Sequence, residues 1–261
     1  MKKSICNWFL SKNYFRISNF QIVEKITLLK ITLKNYIKNF FNRFKKKENP
    51  KLIFIHIPKN AGSSMHRIIK DKLHNYIDYV GHSAPLEYLQ ETNNFIILRE
   101  PLTRFCSAFY YRINLLEECK AWANLNGIKS PSQFIKFLSN KNNKGKNNPI
   151  FSLRSEKQFV AGNPIYPICW VFQPQSAWIK NPNSILLQKN LDFEWNYFCR
   201  VKKIPFVSLP NSNQSNNSDN ALKSLTQADI SFLKTTYSDD FAIWEKFSNK
   251  QISERIDLNV N

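Results

Sequence analysis

Short apolar runs alternate with stretches of helical periodicity from residue 51 onward. Four apolar runs are predicted as strands. Leu52–Ile57 and Asn94–Leu98 are predicted to be buried strands, and Cys169–Phe172 and Ser184–Leu187 to be short strands. Four other stretches are predicted as helices: 64–74, about 103–118, 193–203 and 227–247. Continuous apolar strands between helices are typical of a parallel sheet that is covered on both faces. The pattern therefore predicts one α/β domain over residues 51–250, followed by a C-terminal tail at 251–261.

Residues 1–50 form an N-terminal arm with a different pattern. Its apolar side chains recur at steps of three and four residues, with basic residues between them: Ile22, Ile26, Leu29, Leu33, Ile37, Phe40 and Phe44. This spacing predicts a basic amphipathic helix. One hypothesis places residues 20–47 peripherally on an anionic membrane, and the other packs the helix on the rest of the protein or on another copy. No stretch reaches the ~18 to 20 apolar residues of a membrane span, so we expect a cytoplasmic protein.

Charge divides unevenly between the arm and the domain. The chain has a net charge of +19, and the arm alone, with 12 basic and 2 acidic side chains, carries +10 of it. The remaining +9 is ordinary for a domain that handles anionic ligands. We therefore expect no nucleic-acid partner, although the total charge alone would suggest one.

Glycine and cysteine usage excludes several common classes of site. The chain has only 5 glycines, at 62, 81, 127, 145 and 162. Their spacing excludes both the G-x-G-x-x-G motif of dinucleotide-binding folds and the two-glycine Walker loop. The 5 cysteines are never closer than 13 residues, which excludes C-x-x-C metal sites. An odd number of widely spaced cysteines also indicates a reducing compartment rather than a disulfide scaffold.

The segment Pro58–Ser64 stands where the first strand turns into a helix. Amide groups at a helix start point outward, and the helix dipole favours negative charge there. Gly62 would let an anion approach the backbone, the hydroxyls of Ser63 and Ser64 can donate, and Lys59 supplies a mobile positive charge. The segment therefore predicts an anion-binding loop.

A second basic segment, Arg99–Tyr111, follows the strand 94–98. Arg99 stands at the carboxyl end of that strand, where open α/β sheets bind ligands, and Ser107 lies about a turn and a half into the next helix. Arginine and serine together can hold one phosphate through charged and hydroxyl donors. Two anion sites are thus predicted at the same edge of one sheet.

These two segments resemble those of a known family. Ile55–Ser64 is similar to the 5′-phosphosulfate loop of sulfotransferases that use 3′-phosphoadenosine 5′-phosphosulfate (PAPS), in the bacterial and Golgi carbohydrate branch, and Leu98–Ala108 is similar to their 3′-phosphate segment. Weaker similarity continues in the family's order to about residue 247, through Gly81–His82, Gln173–Gln175, Leu209–Asn211 and Tyr237–Phe241. The resemblance implies a P-loop-like sheet and transfer of a sulfuryl group from PAPS to a hydroxyl of a carbohydrate or glycoconjugate.

The resemblance also implies roles for individual residues. Arg99 and Ser107 would hold the 3′-phosphate, and Lys59 would act in catalysis. The 5′-phosphosulfate would be held by the loop residues Lys59, Asn60, Ala61, Gly62, Ser63 and Ser64. No metal is implied, because Lys59 and the helix start can meet the charge that develops during transfer. Lys189 departs from the family, whose members commonly have a glutamate there.

A base must take the proton of the acceptor hydroxyl, and histidine titrates in the right range. His66 and His74 are predicted to be exposed on the first helix, and His56 to be a core histidine. His82 follows Gly81, at the place where related carbohydrate sulfotransferases carry a Gly-His that faces the acceptor. We favour His82, with a loop histidine that takes no part in catalysis as the alternative.

Two other functions are compatible with parts of this pattern. A non-catalytic basic protein could bind nucleic acid or anionic membrane through a degenerate nucleotide fold, but the excess charge lies outside the fold. A nucleotide or sugar kinase would need a Walker lysine–serine pair or acidic residues for magnesium, and the sequence shows neither. The enzyme hypothesis is favoured because the sequence contains a residue for each proposed lysine, serine, arginine and histidine role.

Overall fold

The computed structural model describes residues 51–81, 93–115, 117–140, 170–179, 181–210 and 221–258. The N-terminal arm, with the predicted amphipathic helix and the membrane contact of residues 20–47, lies outside the described residues, so these remain predictions. Among the residues that the structure describes, no helix is long and apolar enough to cross a membrane.

The centre of the fold is a sheet of four parallel strands in the order β2-β1-β3-β4. The strands are β1 (Leu52–Ile55), β2 (Ile77–Val80), β3 (Asn94–Leu98) and β4 (Ser184–Leu187). The prediction of a parallel sheet is confirmed, and three of its strands are those that the apolar runs predicted. Strand β2 was not predicted; it is an edge strand whose last three residues are only half-buried.

Seven α-helices are described in residues 51–258, apart from short turns. They are α1 (Gly62–Ile68), α2 (Pro101–Leu115), α3 (Glu117–Leu125), α4 (Pro131–Ser139), α5 (Leu191–Val201), α6 (Gln227–Thr236) and α7 (Ser238–Ser248). The first continues as a π-helical turn, Ile69–Leu73. Each of the four predicted helical stretches is therefore largely helical, with ends shifted by a few residues, whereas α3 and α4 were not predicted.

Two predicted elements are corrected by the structure. The apolar run at 169–172 is not a strand, because its described part, Trp170–Phe172, forms a 3-10 turn that buries Val171 and Phe172 against α2. The single helix predicted at 227–247 is interrupted at Tyr237, whose hydroxyl donates to the Phe172 carbonyl at 2.8 Å. A short apolar run fits a buried turn as well as a strand, so periodicity alone could not distinguish them.

Helices and turns cover both faces of the sheet. Phe54 on β1 points to one face and packs in a cluster that includes Trp195 of α5, whereas its neighbour Ile55 points to the other and packs with Trp178. All four side chains are at least 99% buried. Burial of an apolar side chain of this size contributes about 1.5 to 3 kcal/mol, so the sheet is a rigid support for the loops at its edges.

The last described residues extend the domain along the outer side of β4. The backbone amide of Ile185 donates to Arg255, and that of Leu258 donates to Asn183, both at 2.8 Å. The guanidinium of Arg255 is 3% exposed and donates to both carboxylate oxygens of Glu194, at 2.7 and 2.8 Å. This buried ion pair holds the described part of the predicted tail against an otherwise open sheet edge.

Candidate active site

The predicted anion-binding loop joins β1 to α1 at the carboxyl edge of the sheet. Two of its residues have left-handed backbone conformations without being glycine: Lys59 with φ of 67° and Ala61 with φ of 59°. Such conformations cost energy and persist where surrounding contacts impose them, which is common at functional sites. No side chain caps the N-terminus of α1 in the described structure, and the first amide groups of a helix are hydrogen-bond donors without a partner inside the helix.

The side chain of His56 explains why position 62 is a glycine. His56 lies one residue beyond β1. A Cβ atom placed on Gly62 would stand 1.6 Å from Cδ2 and 1.8 Å from Nε2 of the His56 ring. His56 is 7% exposed, and its Nδ1 lies 2.5 Å from the hydroxyl of Tyr79 on β2. His56 is thus a core histidine, as predicted. It occupies the space on the side of Gly62 where a side chain would begin.

This contact gives a prediction for Gly62→Ala. We expect the variant to lose about 1 to 3 kcal/mol of unfolding free energy, because the new methyl group overlaps the His56 ring. In the background of His56→Ala, which removes the obstructing ring, the same change should cost less than half as much. Urea unfolding of the four proteins of this cycle measures both costs.

Gly81→Ala is the matched control for that cycle. A Cβ atom at Gly81 would lie 3.7 Å from the Tyr79 ring, which is ordinary contact, so we expect almost no loss of stability. An equal cost of Gly62→Ala in both backgrounds would show that the overlap with His56 is not the cause.

The two predicted anion sites are in direct contact. Arg99 follows β3 immediately, and its Nη1 donates to the carbonyl oxygen of Lys59 at 3.0 Å. Its Nε donates to the Thr103 hydroxyl at 3.3 Å. Ser107 lies one helical turn beyond Thr103 on α2 and is 8% exposed. The structure therefore brings Lys59 and Arg99 together and places Ser107 one turn further along the helix that follows Arg99.

Lys59 occupies an unusual electrostatic position. Burial, together with the positive charges of Arg99 and Arg104, lowers the pKa of Lys59 from 10.5 to about 8. Its Nζ lies 3.9 Å from the centre of the Tyr111 ring, where the ring face stabilises a cation. Three cations at one edge repel one another, and an anion bound there relieves that repulsion.

The other loop residues divide into outward and inward side chains. Ser63 is exposed, whereas Ser64 is 7% exposed and its hydroxyl donates to the carbonyl of Pro210 at 3.3 Å. The side chain of Asn60 faces inward and donates to the carbonyl of Ile97 at 2.7 Å. Only the backbone of Asn60 is thus placed to contact a ligand, and the same holds for Ala61, which has only a methyl side chain.

Several residues that support the loop were not predicted as site residues. Arg104 is 3% exposed and donates from Nε to the carbonyl of Pro58 at 3.1 Å. Oδ2 of Asp240 on α7 lies 4.0 Å from Nη1 of Arg104 in a buried ion pair. Gln175 links the loop to Arg99. Gln175 and Asp240 both lie within segments that resemble the sulfotransferases. That resemblance was the one sequence signal that could have identified them.

Three of the four histidines lie within the described residues. His66 and His74 are exposed, as predicted. His82, the favoured base, lies outside the described residues and stays a prediction. The residue before it, Gly81, follows β2 at the same carboxyl edge as Lys59 and Arg99. In the described residues, no group of three or more histidine, cysteine, aspartate or glutamate side chains is arranged to hold a metal ion.

Comparison with known proteins identifies the family. No curated protein and no solved structure matches the chain. The model of the sulfotransferase family matches residues 42–247, which includes the loop after β1, the segment after β3 and all seven described helices except the end of α7. This match covers well over half of the sequence, and the chain therefore belongs to the sulfotransferase family.

Proposed function

We propose that this protein transfers the sulfuryl group of PAPS to a hydroxyl of a carbohydrate or glycoconjugate. The observation that carries the proposal is the contact between Arg99 and the Lys59 carbonyl, which joins two cationic segments at one edge of the sheet. PAPS has anionic groups at both its 5′ and 3′ positions. A nucleotide of that kind can engage both segments at once.

The residues present fit such a nucleotide in charge and in hydrogen-bonding capacity. The uncapped start of α1, the exposed Ser63 hydroxyl and Lys59 offer donors for the 5′-phosphosulfate. Arg99 and Ser107 offer donors for the 3′-phosphate. The donor nucleotide supplies an activated sulfuryl group, and the two segments bind and orient it. This arrangement also supports a P-loop-like assignment of the sheet.

Proton transfer in this proposal belongs to His82. The carboxyl ends of parallel strands meet at one edge of a sheet, and β2 ends two residues before His82. A neutral imidazole there can accept the proton of an acceptor hydroxyl. We propose in addition that the arm contacts anionic membrane through residues 20–47, on the basis of its amphipathic sequence.

The proposal is tested by following ³⁵S from labelled PAPS into a panel of unsulfated polysaccharides, both uronic-acid-containing and neutral. We expect label in at least one of them and an equal amount of the spent nucleotide, 3′-phosphoadenosine 5′-phosphate. The Lys59→Ala protein is the matched negative control. Release of spent nucleotide at the same rate by wild type and Lys59→Ala, with no label in any polysaccharide, would contradict the proposal.

A further inference from the structure

The side-chain amide of Gln175 forms hydrogen bonds with both anion-binding segments. Its Oε1 accepts from Asn60 Nδ2 at 2.9 Å and from the backbone amide of Arg99 at 3.4 Å. Its Nε2 donates to the Arg99 carbonyl at 2.8 Å. The residue is 0% exposed and Asn60 is 1% exposed, so water does not compete for these hydrogen bonds. One side-chain amide thus contacts both segments.

The backbone at Gln175 is held in place by hydrogen bonds to a residue of α7. Asp240 accepts from the backbone amide of Gln175 at 2.8 Å and from that of Ser176 at 2.9 Å. Its carboxylate is 1% exposed and pairs with Arg104, which in turn donates to the carbonyl of Pro58 at the start of the loop. Gln175 therefore cannot shift with one segment while leaving the other in place.

We propose that Gln175 is a positioning residue that sets the separation between the Lys59 loop and Arg99, so that one nucleotide bearing both a 5′ and a 3′ phosphate contacts both segments. This inference rests on the proposed function. Two sites that bind one ligand strengthen each other's binding only if their spacing lets the ligand contact both at once, and this gain is lost when the geometry prevents it. The amide should thus act on simultaneous binding rather than on either phosphate alone.

Gln175→Met tests this role, because methionine has a similar length and no hydrogen-bonding amide. The probes are 3′-phosphoadenosine 5′-phosphate, 5′-AMP and 3′-AMP, titrated by calorimetry. We expect affinity for the bisphosphate to fall by about 10- to 100-fold, and affinity for either monophosphate by less than about threefold. Loss of a merely structural residue would instead lower the melting temperature or weaken all three ligands alike.

Gln173→Met is the matched control. Gln173 is also buried, two residues earlier in the chain, and its Oε1 has no hydrogen-bond partner in the described residues. We expect it to retain the preference for the bisphosphate. Gln175→Asn, which keeps the amide but shortens its reach, decides the question if thermal melts show that Gln175→Met is unfolded.

The outcomes separate this inference from the function on which it rests. A wild-type protein that binds the bisphosphate no more tightly than 5′-AMP overturns both. If the folded Gln175 variant prefers the bisphosphate over the monophosphates as strongly as wild type does, the inference is overturned and the proposed function is not. Equal weakening of all three nucleotides also overturns it, because that result shows general damage to the site.

Discussion

Replacement of Lys59 by alanine should slow turnover by about 10²- to 10³-fold, the usual effect of removing one charged partner of a transition state. Lys59 is the cation at the centre of the loop, and Arg99 and the Tyr111 ring hold its position. The fold should survive, because the Lys59 side chain is not part of the apolar clusters. Steady-state rates with PAPS, together with a thermal melt, provide the measurement.

Lys51→Ala is the control for that substitution. Lys51 precedes the same strand at its opposite end, where its Nζ contacts Asp78 at 3.3 Å. We expect its rate to stay at the wild-type level. If Lys59→Ala and Lys51→Ala behave alike, the loop lysine has no special part in the reaction.

The lowered pKa of Lys59, about 8, adds a pH dependence. The charged form is the active one and exists below the pKa, so kcat/KM should decline as the pH rises through about 8. Arginine stays protonated throughout this range. Lys59→Arg should therefore lose the alkaline decline even if its rate is lower, whereas an unchanged decline would assign the titration to another group.

Replacement of His82 by alanine should cost about 10²- to 10⁴-fold in turnover if this histidine is the general base. The rise of kcat/KM with pH below neutrality should disappear as well, because neutral imidazole is the active form of a base. The matched control is His74→Ala, since His74 is exposed and its carbonyl contacts Lys51 at the other end of β1. A His82 variant with the wild-type rate would assign the base to His56 or to a carboxylate.

The positions of the two predicted anion sites could be inferred from sequence because they depend on local features. Each follows an apolar run that forms a buried strand, and each precedes a helical pattern. Parallel strands bring such turns to one edge of the sheet, wherever the intervening chain runs. The contact of Arg99 with Lys59 follows from this topology, although their separation along the chain is 40 residues.

The supporting contacts could not be predicted, because they join residues far apart in the chain. Gln175 contacts Asn60 across 115 residues, and Asp240 contacts Gln175 across 65. Gly62 shows the same limit. Its sequence position indicated a close approach by an anion, whereas the structure shows that the His56 ring already occupies the place of a side chain. A single sequence contains no signal for such three-dimensional neighbours.

Some missed elements did carry a local signal. The helix α4 begins at Pro131 after Ser130, whose side chain accepts from the amide of Gln133. Serine at the N-cap followed by proline at the first helical position is a recognisable helix start. The strand β2 had no comparable signal, because it has only four residues and Asp78 interrupts its apolar pattern at the edge of the sheet.

The binding of 3′-phosphoadenosine 5′-phosphate and of 5′-AMP to the wild-type protein, compared by calorimetry in the presence of a metal chelator, tests the central claim most directly. Charged hydrogen bonds from Arg99 and the Ser107 hydroxyl should make the bisphosphate bind about 10- to 150-fold more tightly, equivalent to about 1.5 to 3 kcal/mol. Equal affinity for the two nucleotides would contradict the account, because the segment after β3 would then not recognise a 3′-phosphate.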